Sequence, residues 1–69
     1  MNKNMFKSKM MLHGDTNASL AKAVGLSAQR LSAKINETKG AEFTQGEIQS
    51  IKERYNLTND EVDNIFFAQ

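Results

Sequence analysis

The fold of this chain is decided by the stretch Thr16–Asn36, which reads TNASLAKAVGLSAQRLSAKIN. Gly25 divides it into two halves, and Ser27 is a typical residue for starting a helix directly after the glycine. Each half carries apolar residues at helical spacing, namely Leu20, Ala21 and Val24 in the first and Leu31 and Ile35 in the second. A short alanine-rich helix, a glycine turn and a second helix with a polar outer face form the helix-turn-helix pattern.

Ser or Thr residues mark the predicted starts of four helices, each followed four residues later by an apolar side chain. The pairs are Thr16 with Leu20, Ser27 with Leu31, Thr44 with Ile48, and Thr58 with Val62. At Thr44 and Thr58 a glutamate three residues later completes a capping box. With an N-terminal helix added, the predicted helices run over Asn2–Leu12, Asn17–Val24, Ala28–Glu37, Gln45–Arg54 and Asn59–Phe67. The absence of any strand pattern predicts a single all-α domain over residues 1–69, with a loop at 38–42.

The composition of the chain restricts its chemistry. Its 39% hydrophobic and 25% charged residues are typical of a soluble globular domain. It has no cysteine and one histidine, and the sequence shows no phosphate-binding glycine loop and no credible carboxylate pair. We therefore expect no enzyme activity, no metal and no cofactor. No signal peptide or transmembrane-length apolar run is visible, so we expect a cytoplasmic protein that does not associate with a membrane. We also expect no small-molecule substrate.

Charge is distributed unevenly along the sequence. Residues 1–40 contain seven Lys and Arg residues against two Asp and Glu residues, whereas residues 41–69 contain two against six. A basic half beside an acidic half suggests one face that meets a polyanion and another that is turned away from it. A chance distribution in a short chain is the alternative explanation.

The outer face of the helix predicted over residues 28–37 suits the reading of bases. Leu31 and Ile35 define its buried side, so the opposite face is centred on Gln29 and Ala33. Glutamine and asparagine can pair with adenine, arginine pairs with guanine, and alanine can touch a thymine methyl group. The predicted base-reading residues are Ala28, Gln29, Arg30, Ala33 and Asn36.

Helix N-termini and nearby polar side chains would hold the phosphate backbone. The predicted phosphate-contacting residues are Asn17, Lys22, Ser27, Lys34, Thr38 and Lys39. For any single lysine, a solvated surface position is the stronger interpretation. Lys34 is predicted to meet phosphate or solvent, and the rotation of its helix stays open at this stage.

The residues of the opening stretch resemble the helix-turn-helix of the lambda-repressor-like family of phage repressors, Cro-like proteins and bacterial regulators. The matching residues are Thr16, Leu20, Ala21, Ala23, Gly25, Leu26, Ser27 and Leu31. More narrowly, about residues 5–67 resemble small phage repressor-type proteins of Gram-positive bacteria, through the strings 14–16, 31–36, 42–48, 61–62 and 65–67. The resemblance implies a compact five-helix domain, a double-stranded DNA operator as partner and frequent dimerisation. Two positions depart from the family pattern. Many members carry Gln where this chain has Asn17, and many carry an apolar residue where it has Lys34.

Two functions compete at this stage. The leading hypothesis is a sequence-specific transcriptional regulator, acting in the cytoplasm of a bacterial host if it is phage-encoded. As a homodimer it would place helix 28–37 in the major groove at half-sites about 34 Å apart. The alternative is a protein-interaction module, such as a helix-turn-helix adaptor or anti-repressor, with little DNA affinity. Its motivation is the net charge of only +1 and the apolar residues Ile65, Phe66 and Phe67, a possible dimer surface for which core packing is an equal explanation.

Overall fold

Each α-helix in the described part of this protein begins at a polar side chain that caps its first turn. The computed structural model describes residues 1–67, and within them it holds five α-helices and no strand. The helices are α1 (Lys3–Leu12), α2 (Asn17–Val24), α3 (Ala28–Ile35), α4 (Gln45–Tyr55) and α5 (Asn59–Phe66), with a 3₁₀ turn at Thr38–Gly40 between α3 and α4. The prediction of an all-α chain with five helices is confirmed for these residues.

The Ser and Thr caps predicted from the sequence are all present. The Ser27 hydroxyl accepts the third N–H of α3, and Thr44 and Thr58 form the two predicted capping boxes. Such a cap contributes about 0.5–2 kcal/mol to the stability of its helix. The starts of α2 to α5 therefore fall at the predicted residues.

Two details of the helix caps were not predicted, namely the capping box at Thr16 and the cap of α1 at Asn2. Thr16 forms a third capping box, in which the Ser19 hydroxyl accepts the Thr16 N–H at 2.9 Å. Serine is not the Glu or Gln that the capping-box pattern requires, so the residue type at position 19 carried no signal for it. Asn2 caps α1 by accepting the Met5 N–H at 3.0 Å, and α1 therefore starts one residue later than predicted.

The turn between α2 and α3 depends on Gly25. Its backbone is left-handed, with φ 78° and ψ 27°, a conformation in which a side chain would be strained. The next N–H, of Leu26, returns to the Ala21 carbonyl at 2.8 Å and closes the end of α2. The chain resumes as α3 after only three residues, 25–27, and α2 packs against α3 more extensively than against any other element.

The core contains one almost completely buried large side chain from each helix. These five are Phe6, Leu20, Leu31, Ile51 and Ile65. Burying a side chain of this size contributes about 1.5–3 kcal/mol. Ile65 is only 1% exposed, so the prediction that it forms part of a dimer surface is wrong. It is a core residue because the inner face of α5 points toward α1 and α4.

Three phenylalanine rings join the two ends of the described chain. The Phe6 ring lies 5.6 Å from Phe43 and 5.8 Å from Phe66, and the rings of Phe43 and Phe66 are 5.5 Å apart. Beside them, the Asn2 N–H donates to the Ile65 carbonyl at 2.7 Å. Phe66 is therefore half-buried by aromatic packing, which accounts for one of the two adjacent phenylalanines at the end of α5.

The carboxylate of Asp15 connects the start of α2 to the end of α4. It accepts hydrogen bonds from Arg54 Nε at 2.8 Å, Arg54 Nη2 at 2.7 Å, the Tyr55 hydroxyl at 2.6 Å and the Ser19 hydroxyl at 2.8 Å. The Asp15 side chain is only 4% exposed. The His13 ring stacks on Tyr55 at 4.7 Å and covers the cluster from the side of α1.

These contacts fix the protonation of the cluster. The hydrogen bonds from Arg54 hold the pKa of Asp15 far below its usual range, since they favour the charged carboxylate. Burial, together with the hydrogen bond to Asp15, raises the pKa of Tyr55, which keeps the phenol protonated as a donor. The Asp15 charge is therefore neutralised inside the protein, and four donors converge on one buried side chain.

Candidate nucleic-acid interface

The rotation of α3 follows from the three side chains that it buries, Leu31, Lys34 and Ile35. Because successive residues turn by about 100° around a helix, the face opposite Leu31 lies between residues 29 and 33. Among the predicted base-reading residues, Ala28, Gln29, Arg30 and Asn36 are exposed and Ala33 is half-buried. The structure thus brings the predicted set together on one short helix and its C-cap, and it resolves the rotation that the sequence left open.

Lys34 does not point to solvent. Its Nζ lies 2.6 Å from Oε1 of Glu47, and the two side chains are only 11% and 14% exposed. The prediction that Lys34 contacts a phosphate is therefore wrong, because its charge is neutralised in a buried ion pair. Burial alone would raise the pKa of Glu47, but the hydrogen bonds from Lys34 and the Thr44 amide outweigh it and lower that pKa.

The opposite flank of α3 is held by the first residue of α2. The Asn17 amide donates to the Ser32 hydroxyl at 2.9 Å, and both groups are near the surface. This bond uses one amide hydrogen and leaves the Asn17 carbonyl oxygen and second hydrogen available. Asn17, predicted as a phosphate contact, thus lies beside the exposed face of α3, at the N-terminal end of α2 where backbone N–H groups point outward.

The C-cap of α3, Asn36, is contacted from α1. Lys3 Nζ donates to Asn36 Oδ1 at 3.1 Å, and both side chains are exposed. This contact occupies the carbonyl oxygen of the Asn36 side chain and leaves its two amide hydrogens available as donors. An exposed hydrogen bond of this kind can exchange for one with water or a ligand at little cost, since its net contribution is only about 0.5–1.5 kcal/mol.

Three cations surround α3 without an internal partner. Lys22 on α2, Arg30 on α3 and Lys39 in the 3₁₀ turn are exposed, and within residues 1–67 none of them makes a hydrogen bond or an ion pair through its side chain. Thr38 is exposed in the same turn. Ser27 is exposed as well, with its hydroxyl accepting the Arg30 N–H.

The backbone that follows α3 is unusual. Glu37 and Lys39 have φ values of 54° and 53°, left-handed conformations that cost a residue with a side chain about 1 kcal/mol each. Gly40, with φ 75°, completes the reversal. Because Glu37 leaves the helical conformation, α3 ends at Ile35 rather than at the predicted Glu37.

The other charged side chains either form an internal ion pair or have none within residues 1–67. Lys9 pairs with Glu61, Lys34 with Glu47, and Arg54 with Asp15. Glu37, next to α3, pairs with the amino group of Met1 at 2.6 Å. The acidic side chains without an ion pair in residues 1–67 are Glu42, Glu53, Asp60 and Asp63. All four lie in the second half of the chain, so the unpaired charges carried by α2, α3 and the 3₁₀ turn are all positive.

Comparison with protein-family models, curated proteins and solved structures finds no match to this chain. Within residues 1–67, no helix is both long enough and apolar enough to cross a membrane. The same residues contain no group of three or more His, Cys, Asp or Glu side chains that could hold a metal ion.

Two residues that shape this surface were not singled out from the sequence. Asp15 is 39 residues from Arg54, and no local pattern indicates which distant arginine a carboxylate will meet. Glu47 was recognised only as part of a capping box. The sequence did contain a signal for its ion pair with Lys34. Lys34 stands at a position of α3 where many members of the family that the sequence resembles carry an apolar residue, which indicates an inward-facing position.

Proposed function

We propose that this protein is a sequence-specific double-stranded DNA-binding regulator of helix-turn-helix type. The observation that carries the proposal is the exposed side of α3. It bears Gln29 and Arg30, with Asn36 at its C-cap, and the helix is anchored from behind by Leu31 and Ile35. Amide and guanidinium groups are the side chains that read adenine and guanine in the major groove. The unpaired cations around α3 support the proposal, because phosphate contacts dominate affinity for DNA.

In the proposed complex, α3 enters the major groove with its first turn leading. Ala28, Gln29 and Arg30 meet base edges, and the partly covered Ala33 limits how deeply the helix enters. The N-terminal end of α2, with Asn17, faces one phosphate strand, and Lys22, Thr38 and Lys39 face the flanking phosphates. Neutralisation of Asp15 by Arg54 is favourable here, because a free carboxylate beside that end of α2 would repel a phosphate.

Selection from a pool of randomised DNA duplexes tests this function without requiring a known operator. The wild-type chain is expected to enrich a motif, and its affinity for the enriched duplex should exceed that for a scrambled duplex by about 10³-fold or more. Fluorescence anisotropy at one fixed salt concentration provides both affinities. Salt dependence alone is no test, because non-specific binding shows it too. Equal, weak binding to all duplexes would refute the proposal.

A second candidate, a protein-interaction module, is favoured by one observation. Phe67 is 55% exposed at the end of α5. It lines an open cleft of about 170 Å³ with Phe43, Ile48 and Phe66. An exposed phenylalanine beside a cleft that also carries Lys34, Glu37 and Glu42 suits contact with a second protein surface.

Phe67→Ser is expected to weaken association between copies of this chain about tenfold or more, because an aromatic ring would no longer be buried at the contact. Sedimentation equilibrium over a range of concentrations measures the effect. Leu12→Ser is the matched control, since Leu12 is 75% exposed at the end of α1. If the mass of the Phe67 variant in solution equals that of wild type at every concentration, Phe67 has no part in self-association.

A further inference from the structure

The buried Lys34–Glu47 pair lies behind the exposed face of α3 rather than in it. The main contacts of α3 are with α2 and the 3₁₀ turn, not with α4. On the α4 side, the hydrogen bond between Lys34 and Glu47 is the only one through side chains that joins the two helices in residues 1–67. A long lysine side chain thus crosses the space between two helices whose backbones are not closely packed.

One oxygen atom of Glu47 serves two purposes. Oε1 accepts the Lys34 ammonium at 2.6 Å and the Thr44 N–H at 2.9 Å, so it caps α4 and holds α3 at the same time. The Glu47 N–H in turn donates to the Thr44 hydroxyl at 3.2 Å, which fixes the position of the carboxylate at the start of α4. Any displacement of Lys34 is therefore opposed by a group that the cap of α4 holds in place.

The second attachment of α3 is on its other flank. Ser32 accepts from Asn17, and Ser32 and Lys34 are about 200° apart around the helix axis. Two polar attachments on opposite flanks, two residues apart, restrict rotation of α3 about its own axis. The apolar contacts of Leu31 and Ile35 restrict it less, because such contacts have no preferred direction.

We propose that Glu47, acting through Lys34, is a positioning residue that sets the rotation of α3 and thereby the sequence specificity of the protein. This inference rests on the proposed function. A binding constellation must be held within about 10–20° of its productive geometry. A rotation of α3 beyond that range moves Gln29 and Asn36 away from the base edges while leaving the surrounding cations near the phosphates. Specific affinity falls, and non-specific affinity does not.

The double variant Lys34→Met/Glu47→Gln separates this role from stability. Glutamine keeps the capping box of α4, and methionine keeps the apolar stem of the lysine, so no buried charge is left unpaired. We expect the double variant to stay folded by circular dichroism. We expect the ratio of its affinities for the enriched and the scrambled duplex to be about fivefold or more below the wild-type ratio. Its affinity for the scrambled duplex should be unchanged.

The control is a second pair of the same design. Lys9 pairs with Glu61, and Glu61 also completes the capping box of α5, but this pair joins α1 to α5 and does not touch α3. Lys9→Met/Glu61→Gln should therefore leave the specificity ratio at the wild-type value. A fall of equal size in both double variants would show a general loss of structure and overturn the inference.

Residual dipolar couplings of the free protein test the same idea without DNA. In Lys34→Met/Glu47→Gln the orientation of α3 relative to α4 should change by about 10° or more. An unchanged orientation, or a specificity ratio within twofold of wild type, overturns the positioning role while leaving the proposed function intact. If the wild-type chain enriches no motif at all, the proposed function is wrong and the inference is wrong with it.

Discussion

Asp15→Asn is expected to lower the free energy of unfolding by about 2–4 kcal/mol at pH 7, because hydrogen bonds to a charged group contribute about 1.5–3 kcal/mol each. The Asp15 carboxylate accepts four hydrogen bonds, two on each oxygen, from Arg54, Tyr55 and Ser19. An asparagine replaces one of these oxygens by an NH₂ group, so at least two donors lose their acceptor. For a domain of 69 residues this is a large part of a total stability of about 3–10 kcal/mol.

The effect of this substitution should also depend on pH, with a definite sign. The pKa of Asp15 is lowered in the folded state by its hydrogen bonds with Arg54, whereas in the unfolded chain it is about 3.9. Below about pH 4 the unfolded state therefore binds more protons, and the stability supplied by Asp15 is lost as the pH falls further. The difference between wild type and Asp15→Asn should shrink between pH 5 and pH 2. Urea unfolding followed by circular dichroism at several pH values measures it.

Asp63→Asn provides the control for this experiment. Asp63 is exposed on α5 and makes no ion pair within the described residues, so its substitution should change stability by less than about 0.5 kcal/mol. Glu47 and Glu61 also have lowered pKa values, and wild type and variant share the acid sensitivity that they cause. A stability of Asp15→Asn within about 0.5 kcal/mol of wild type at pH 7 would contradict the role given to Asp15.

Gln29→Ala and Arg30→Ala are each expected to weaken binding to the enriched duplex by about 1–3 kcal/mol, which is roughly 5- to 150-fold. Both side chains are exposed on the first turn of α3 and have no internal hydrogen-bond partner in residues 1–67, so neither change should destabilise the fold. Gln29→Ala should leave affinity for the scrambled duplex unchanged. Arg30→Ala should lower that affinity only if Arg30 contacts a phosphate, and the slope of log affinity against log salt then falls by about 1.

Gln49→Ala is the matched control for these two variants. Gln49 is an exposed glutamine of α4, so it tests whether loss of any surface glutamine affects binding. Fluorescence anisotropy on the enriched and scrambled duplexes, at one salt concentration, measures all three proteins. Specific binding by Gln29→Ala and Arg30→Ala that equals wild type would show that α3 does not read bases.

Helix starts were predictable from the sequence because capping is local chemistry. Thr44 and Thr58, with a glutamate three residues later, show their helices without reference to the rest of the chain. Helix ends were less predictable. The end of α3 depends on the positive φ of Glu37, and a glutamate does not indicate a left-handed conformation as a glycine would.

Side-chain partners across the fold were not predictable in the same way. In the sequence, Lys34 has the features of a surface lysine. Only the structure shows that Glu47, from another helix, lies 2.6 Å from its ammonium group. Ile65 and Phe67 are both apolar and close in sequence, yet one is buried and the other exposed, because the inward face of α5 is set by its packing on α1 and α4. The exposure of Gln29 and Asn36 could be predicted, because a helix wheel places both of them roughly opposite Leu31.

The contact of Phe6 with Phe43 and Phe66 has a consequence for cooperativity. The three rings come from α1, from the segment before α4 and from α5, so opening either terminal helix uncovers the other two rings together. Opening of α1 or α5 is then costly, so we expect the backbone amides of α3 to exchange with solvent mainly when the whole domain unfolds. The order of the short stretch Thr16–Asn36 should therefore depend on α1, α4 and α5, which lie outside it.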